Sequence, residues 1–377
     1  MRIDALPTPC YVIDEGRLKK NLEILRGVKE ETGCRILLAQ KAFSCFYEYP
    51  LIGRYLDGTT ASGLFEARLG YEEMGKENHV FSPAFRDAEF EELTEICGHI
   101  VFNSFVQFEK FREKGRKKGV SMGIRINPEC STQGDHAIYD PCAPGSRLGV
   151  TEANFRRELA GELDGLHFHT LCEQNSDDLE RTLFVVEEKF GDVLALPNMK
   201  WLNMGGGHHI TRADYDIPLL IRCIKRMQEK YGVTVYLEPG EAVALNAGYL
   251  VTEVMDIVEN GISTLVLDAS AACHMPDVLE MPYRPPLKDS GKAGEKAYTY
   301  RLSSCTCLAG DVIGDYSFDR EIKVGDKLYF EDMAIYSMVK NNTFNGMCLP
   351  AIAVMDESGE CRIIREFGYS DFKERLA

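Results

Sequence analysis

Residues 201–240 read WLNMGGGHHITRADYDIPLLIRCIKRMQEKYGVTVYLEPG, and this stretch decides the fold. An apolar run at 201–204 leads through three glycines to a segment, 217–230, whose apolar residues recur at helical spacing. A second apolar run follows at 233–238. Two strands joined by a helix in this way lie parallel in one sheet, because the crossover returns the chain to the edge where the first strand began. The stretch therefore predicts a βαβ unit.

The same unit recurs toward the N-terminus. Segments at 16–29, 64–74 and 105–118 also have apolar residues at positions i, i+3 and i+4, which favours helices between the apolar runs. Eight alternations of strand and helix predict an α/β fold built on a closed (β/α)8 barrel of the TIM type. The predicted strands are 35–39, 56–61, 79–82, 100–103, 121–127, 165–169, 201–204 and 233–238.

After residue 238 the pattern changes to β-rich segments separated by turn residues, which predicts a C-terminal β domain. TPCYVID at 8–14 has the same character and is expected to add the first strand to that domain. The predicted domains are thus a barrel over 16–240 and a β domain over 241–377 together with 1–15. The β-rich segments are VTEVMDIV (251–258), STLVLDAS (263–270), AYTYRLSSC (297–305), DKLYFEDMAIYSM (326–338) and CRIIREFG (361–368).

The composition limits the class of partner. Among 377 residues, 43 Lys and Arg stand against 59 Asp and Glu, a net charge of −16, whereas nucleic acids and anionic membranes require a cationic face. No apolar run approaches the length of a membrane span, and the N-terminus has no signal-peptide pattern. Thirteen cysteines without a disulfide framework are typical of reduced thiols. We expect a soluble cytoplasmic enzyme without nucleic-acid or membrane partners.

Chemistry in a TIM-type barrel takes place at the C-terminal ends of the strands. Lys41 follows the first strand directly, in LLAQKAF. Desolvation there would lower the pKa of its amine and make it a nucleophile, whereas a lysine that extends into solvent would remain an ordinary cation. His169 ends the sixth strand, where an imidazole could stack on a ligand, transfer a proton or bond to a loop carbonyl.

The seventh and eighth strands are followed by two further motifs. Gly205-Gly206-Gly207 would let backbone amides converge on an anion, although a glycine run also serves as a simple turn. The adjacent histidines at 208 and 209 lack a third metal ligand at a recognisable spacing. Glu238, in Glu-Pro-Gly-Glu, could pair with a protonated ring nitrogen or cap a turn.

In the predicted β domain, Cys305 and Cys307 stand one residue apart and Asp311 follows. This spacing is a poor zinc half-site and no matching half follows, so no metal site is predicted. A thiol beside an acid could instead donate a proton.

The order of these motifs resembles that of the fold-type III pyridoxal-phosphate decarboxylases, which include the ornithine, arginine and diaminopimelate decarboxylases. The similarity extends from TPCYVID to AIYSMVKNNTFNG at 334–346. The resemblance implies that pyridoxal 5'-phosphate is bonded to Lys41, that His169 stacks on its ring and that Glu238 pairs with the ring nitrogen. It further implies that Arg125 packs behind the ring. The residues expected around the phosphate are Gly205, Gly206, Gly207, Gly240 and Tyr336.

In the same family, the residues matching Cys307 and Asp311 enter from the partner subunit, which implies a homodimer with shared active sites. Cys307 would be a catalytic proton donor beside Lys41 and His169. Glu241 stands where ornithine and diaminopimelate decarboxylases usually carry arginine, so one phosphate contact is missing.

HTLCEQ (169–174), SRLGV (146–150) and CHMPDVLEMPYRP (273–285) resemble the carboxynorspermidine/carboxyspermidine decarboxylase branch. That branch implies decarboxylation of a carboxylated polyamine to norspermidine or spermidine. Alternatives are a diaminopimelate or other basic amino-acid decarboxylase, a non-catalytic relative that binds a partner protein, and a Cys/His metal-binding protein. The residues expected to bind the substrate are Glu241, His274, Asp277, Glu280, Asp311 and Asp315.

Overall fold

The computed structural model describes residues 1–134 and 137–377. The chain forms two compact units, one of Met1–Lys20 with Ala244–Ala377 and the other of Asn21–Val243. We call them the sheet unit and the barrel unit. The sequence placed the corresponding boundaries at 15/16 and 240/241.

The strands are β1 (Cys10–Asp14), β2 (Arg35–Ala39), β3 (Gly58–Ala61), β4 (Glu77–Ser82), β5 (His99–Phe102), β6 (Ser121–Arg125), β7 (Gly165–His167), β8 (Trp201–Asn203), β9 (Thr234–Leu237), β10 (Gly248–Glu259), β11 (Ser263–Leu267), β12 (Gly291–Lys292), β13 (Tyr298–Ser304), β14 (Val312–Phe318), β15 (Lys327–Glu331), β16 (Ala351–Met355) and β17 (Cys361–Arg365). The helices are α1 (Glu15–Thr32), α2 (Tyr49–Ile52), α3 (Leu64–Leu69), α4 (Asp87–Ile96), α5 (Phe105–Lys117), α6 (Ser176–Leu194), α7 (Ile217–Tyr231), α8 (Glu241–Ala244), α9 (Ala271–His274), α10 (Asp277–Glu280) and α11 (Tyr369–Lys373).

Strands β2 to β9 form a closed parallel barrel, which confirms the predicted fold class. The barrel closes where β2 pairs with β9, with Arg35 beside Tyr236 and Ile36 beside Leu237. Each of the eight predicted apolar runs overlaps one of these strands, although β4 begins two residues and β5 one residue before the predicted run. The match follows from the burial of both faces of such a strand, because the sequence then reads as a continuous apolar run.

Helix α7 shows why the spacing of apolar residues predicted a helix over 217–230. The Asp216 carboxylate caps the helix by accepting the backbone N–H of Leu219 at 2.9 Å. The buried face carries Leu220, Cys223, Ile224 and Met227, one residue in every three or four. The helix ends at Gly232, which adopts φ 68° and so terminates the α-helical conformation.

The predicted helix over 64–74 is shorter than expected. The α-helix ends at Leu69 and continues as one π-helical turn, Gly70–Met74, closed by Gly75 at φ 63°. A Cβ atom on Gly70 would lie 2.2 Å from the Thr59 hydroxyl oxygen, so the helix passes directly against β3 at this point. This close approach is a tertiary constraint that helical periodicity does not record.

The sheet unit is built around a mixed sheet in the order β12-β14-β13-β11-β10-β1-β16-β17, and β15 pairs with β10. The N-terminal strand β1 lies antiparallel to β10 and parallel to β16. The segment predicted as β over 326–338 is a strand only to Glu331, since Asp332 and Tyr336 adopt positive φ angles of 57° and 47°. No helix among the described residues combines the length and apolar character needed to cross a bilayer.

Polar aromatic residues fill the end of the barrel where the strands begin. The rings of His79 and His99 lie 3.9 Å apart between centroids. The Glu77 carboxylate accepts the Tyr236 hydroxyl at 2.7 Å and contacts His79 Nε2 at 2.9 Å. Burial, followed by the neighbouring His79, lowers the pKa of His99 to about 3. The His99 ring is therefore neutral in the folded protein at neutral pH.

This arrangement predicts acid sensitivity. The unfolded chain protonates His99 below its ordinary pKa of about 6.5, whereas the fold resists protonation down to about 3. The stability due to His99 is thus complete above pH 6.5 and falls as the pH drops toward 3. We expect His99→Phe to lose less free energy of unfolding than the wild type between pH 7 and pH 4.5, measured in urea. Equal losses in the two proteins would contradict this explanation.

Candidate active site

Lys41 follows β2 at the C-terminal end of the barrel. Its side chain is exposed by surface area, yet the protein atoms around it make desolvation the largest influence on its pKa. Desolvation and the nearby Arg125 lower that pKa, while Glu238 acts in the opposite direction. A larger share of the amine is therefore unprotonated at neutral pH than in a lysine exposed to water.

Glu238 follows β9 and is buried, with 7% of its surface exposed. Its Oε1 atom accepts Asn203 Nδ2 at 2.8 Å, and its Oε2 atom lies 3.2 Å from His167 Nε2. Burial alone would raise the pKa of Glu238, but its interactions with His167 and the Asn203 hydrogen bond outweigh burial and hold the pKa below its ordinary value. The carboxylate is therefore a buried anion at neutral pH.

His169 and Arg125 are fixed by contacts with the same loops. The Gly206 backbone N–H donates to His169 Nδ1 at 2.9 Å, so the proton of the neutral ring resides on Nε2. Burial, followed by Lys41, lowers the pKa of His169 well below its ordinary value. The Arg125 guanidinium donates to the His169 carbonyl at 3.0 Å and lies 4.6 Å from the centroid of the Phe81 ring.

The predicted glycines lie where neighbouring loops meet backbone to backbone. A Cβ atom on Gly206 would stand 2.4 Å from the Glu238 carbonyl oxygen, and one on Gly207 would stand 1.9 Å from the Leu171 carbonyl oxygen. A Cβ atom on Gly240 would meet Ala42 Cβ at 2.7 Å. Gly205 and Gly207 also adopt positive φ angles of 67° and 78°. These loops therefore present backbone rather than side chains, as a phosphate cradle requires.

Unpaired polar atoms at the same end of the barrel indicate a polar ligand. Buried groups normally find hydrogen-bond partners, so a concentration of exceptions needs an explanation. The atoms without a partner among the described residues include Gln40 Nε2, His167 Nδ1, Thr170 Oγ1, His208 Nδ1 and His209 Nε2. All five belong to strand ends or to the loops that follow strands β2, β7 and β8. The site therefore fits a cofactor that carries an aldehyde, a ring nitrogen and a phosphate.

The barrel unit thus brings together Lys41, Arg125, His169, the glycine loop and Glu238. Glu241 lies beside them, half-buried, with its carboxylate 3.9 Å from His209 Nε2. Burial lowers the pKa of His209 to about 4, so this pair is not an ion pair at neutral pH.

The remaining predicted residues belong to the sheet unit. Cys307 is exposed, and its backbone N–H donates to Asn345 Oδ1 at 3.1 Å. Tyr336 is partly exposed in a left-handed conformation that is uncommon for an aromatic residue, which marks a constrained position. His274 is buried, with Nε2 donating to the Cys348 carbonyl at 3.0 Å and Nδ1 accepting the Ser270 N–H at 3.2 Å.

Asp311 is buried, and its carboxylate is the common acceptor of several hydrogen bonds. Its carboxylate accepts the hydroxyls of Ser270, Ser304 and Thr306 and the backbone N–H of Ala272. Burial raises its pKa, but these donors together bring the pKa below its ordinary value. Such a saturated carboxylate is suited to fixing the turn that carries Cys307.

The other three predicted acids of the sheet unit each have a cationic partner. The Arg301 guanidinium on β13 donates two hydrogen bonds to the Asp315 carboxylate on β14, from Nε at 2.8 Å and from Nη2 at 3.1 Å. Asp277 and Glu280 both contact the Lys340 ammonium. A substrate amine at these positions would compete with a cation that is already bound.

Sequence reasoning missed three side chains of the site, namely Phe81, His167 and Asn203. His167 and His169 stand two residues apart, as do Trp201 and Asn203, so strand alternation places each pair on one side of the chain. That alternation was the available signal. Alternation within one strand does not predict the register between strands. The register of β7, β8 and β9 places His167 beside Asn203 and Asn203 beside Tyr236.

Glu77, His79 and His99 are a group of potential metal ligands whose donor atoms lie within 4.8 Å of one another. The carboxylate already accepts the Tyr236 hydroxyl, and the two imidazole rings pack against each other at an interplanar angle of 33°. Hydrogen bonding and ring packing account for this group.

Comparisons with known proteins agree with the geometry. The sequence model of the family described as "Pyridoxal-dependent decarboxylase, C-terminal sheet domain" matches residues 10–334. The chain therefore belongs to the pyridoxal-dependent decarboxylase family, and it is a carboxy-lyase.

Two curated relatives and one solved structure are similar over nearly the whole chain. Carboxynorspermidine/carboxyspermidine decarboxylase of Campylobacter jejuni is 44% identical, with 100% of both chains covered. Carboxyaminopropylagmatine decarboxylase of Synechocystis sp. is 42% identical, with 100% of this chain and 97% of that protein covered. The crystal structure of carboxynorspermidine decarboxylase from Campylobacter jejuni complexed with norspermidine matches with a TM-score of 0.91 at 43% identity, over 98% of this chain and 100% of that one.

The glycine packing is directly testable. Gly206→Ala inserts a Cβ atom against the Glu238 carbonyl, and overpacking of this kind typically costs about 1–3 kcal/mol of unfolding free energy. Gly98→Ala is the control, because a Cβ atom there meets nothing within 4 Å. We expect urea unfolding to show that loss for Gly206→Ala and a change below about 0.5 kcal/mol for Gly98→Ala. An unaffected Gly206→Ala would mean that this loop does not need glycine for packing.

Proposed function

We propose that the protein decarboxylates carboxynorspermidine and carboxyspermidine, with pyridoxal 5'-phosphate bonded to Lys41. The observation that carries the proposal is the site itself: a desolvated lysine amine, a buried anion and a side-chain-free glycine cradle meet at one end of the barrel. The names of the Campylobacter jejuni relatives support the choice of substrate.

In this proposal, the residues of the barrel unit hold the cofactor in defined ways. Lys41 attaches through its unprotonated amine, which its lowered pKa favours. Gly206, Gly207 and Gly240 surround the phosphate, and Arg125 and His169 flank the ring. When bound, pyridoxal phosphate supplies an electron sink for the pair of electrons left when the carboxylate departs as CO2. Glu238 favours a protonated ring nitrogen, because its charge is not neutralised by protonation at neutral pH.

The proton that replaces CO2 on the substrate carbon is assigned to the Sγ atom of Cys307. We propose a homodimer in which Cys307 of the partner subunit serves the Lys41 site. Asp311 fixes the turn that carries this thiol. Of the acids expected to receive the remote amines, Asp315, Asp277 and Glu280 would exchange a protein cation for a substrate ammonium.

A second candidate substrate is carboxyaminopropylagmatine, because the Synechocystis relative is almost as similar as the Campylobacter one. The two candidates differ at the remote end, where one carries an amine and the other a guanidine. Both would present a cation to the same acids.

Steady-state kinetics on four substrates test the proposed function. We expect release of CO2 from carboxynorspermidine and carboxyspermidine with kcat/KM values within about 200-fold of each other, since they differ by one methylene. Diaminopimelate should be slower than both, and Lys41→Ala should be inactive on all. A clear preference for carboxyaminopropylagmatine would favour the second candidate, and a preference for diaminopimelate would contradict both.

The shared site predicts complementation. Lys41→Ala and Cys307→Ala chains, each inactive alone, should regain up to about a quarter of wild-type activity after subunit exchange, because half of the dimers are mixed and each has one intact site of two. The control mixes Lys41→Ala with the Lys41→Ala/Cys307→Ala double variant, which forms no intact site. Absence of recovery despite demonstrated exchange would place Cys307 and Lys41 of one site in the same chain.

A further inference from the structure

The Glu238 carboxylate is the centre of a small hydrogen-bonded network. Each of its oxygens has its own donor, Asn203 Nδ2 at 2.8 Å on Oε1 and His167 Nε2 at 3.2 Å on Oε2. The donors occupy the last residues of β8 and β7, in register beside each other. Both side chains are buried, with 1% of their surface exposed.

The donor roles in this network are fixed by their neighbours. The backbone N–H of Gly205 donates to Asn203 Oδ1 at 2.9 Å, so the amide must turn its NH2 group toward Glu238. A carboxylate only accepts, so His167 carries its proton on Nε2. Its Nδ1 atom is buried and has no partner among residues 1–134 and 137–377.

Neither donor cancels the charge that it binds. The Asn203 amide is neutral, and burial lowers the pKa of His167, with Glu238 opposing that shift. The His167 ring packs parallel to Phe81, 5.4 Å away between centroids, in surroundings that disfavour an imidazolium. An arginine or lysine in direct contact would satisfy the carboxylate but neutralise it. Two neutral donors satisfy the oxygens and leave the full negative charge.

We propose that His167 and Asn203 are positioning residues that hold the Glu238 carboxylate ionised and in one orientation, so that the ring nitrogen of the cofactor remains protonated. This inference rests on the proposed function for the ring nitrogen, whereas the network around Glu238 belongs to the protein alone. Asn203 further links the carboxylate to the glycine loop through Gly205, so the two ends of the cofactor site share one hydrogen-bonded chain.

Other charged or titratable groups also act on Glu238, and the experiment must separate them from the two donors. They come from β4, from β6, from the loop after β2 and from the loop after β8, and they are His79, Arg125, Lys41 and His208. None of these four donates a hydrogen bond to the carboxylate, whose two donors in the described part of the chain are Asn203 and His167, so substitutions of those two leave all four in place.

The test uses holoenzyme loaded with pyridoxal phosphate that is ¹⁵N-labelled in the ring, because the ¹⁵N shift reports protonation of that nitrogen. His167→Phe keeps a ring against Phe81 but removes the donor. Loss of a hydrogen bond to a charged group corresponds to about 1–2 pH units, so the ring nitrogen should lose its proton that much earlier as the pH rises. His167→Gln, whose amide can donate to Oε2, should reverse most of this shift and bring the titration back toward that of the wild type.

Asn203→Asp is the sharper variant. Its carboxylate still accepts the Gly205 N–H but faces Glu238 with a second negative oxygen, so the acid pair retains a proton. We expect a shift at least as large as that of His167→Phe, with little change in side-chain volume. His99→Phe, the same substitution at the opposite end of the strands, controls for general effects on the barrel and should leave the ring nitrogen unchanged.

The outcomes distinguish this inference from the proposed function. If wild-type protein takes up no pyridoxal phosphate, the proposed function is wrong; the carboxylate infrared band of Glu238, identified by its loss in Glu238→Gln, then tests the network in cofactor-free protein. If the Asn203→Asp variant keeps the full carboxylate band of ionised Glu238 at neutral pH, the inference is overturned for the cofactor-free protein. In loaded enzyme, a ring-nitrogen titration unchanged in both His167→Phe and Asn203→Asp would overturn it, as would a shift that His167→Gln fails to reverse.

Discussion

A buried carboxylate costs free energy unless donors replace the water that it loses. Glu238 meets this requirement through two strand neighbours, and the rest of the barrel site is arranged around the resulting anion. Lys41 and Arg125 lie close enough for Glu238 to stabilise their charged forms, yet burial lowers the pKa of both. The same desolvated surroundings therefore lower the pKa of the lysine amine and hold an anionic carboxylate within one site.

Backbone contact is the second constraint. The loops after β7, β8 and β9 approach so closely that Cβ atoms at Gly206 and Gly207 would overlap carbonyl oxygens. The Gly206 N–H, exposed by this packing, fixes the His169 ring. Glycine here does more than permit a turn, because it lets one loop set the orientation of a side chain on another. The position of His169 is consequently as rigid as the backbone that holds it.

Much of the barrel could be predicted because buried parallel strands and amphipathic helices leave periodic traces in the sequence. The π-helical turn after α3 could not, since it depends on contact between Gly70 and Thr59. The residues around Lys41 were found from strand ends and from the resemblance to a family. His167 and Asn203 were missed because their role arises only when β7, β8 and β9 lie in register.

The acids of the sheet unit show a different limit of sequence reasoning. A carboxylate near a motif suggests a binding role, but its partners decide what it can do. Asp311 has four donors and is suited to support, whereas Asp315 is paired with one guanidinium, which in the proposed function a substrate cation would replace. Exchange of one cation for another conserves the number of ion pairs, so selectivity for a polyamine must come from the spacing of its charges rather than from charge alone. In the proposed function, the distance between these acids, rather than their number, would therefore determine which substrate fits.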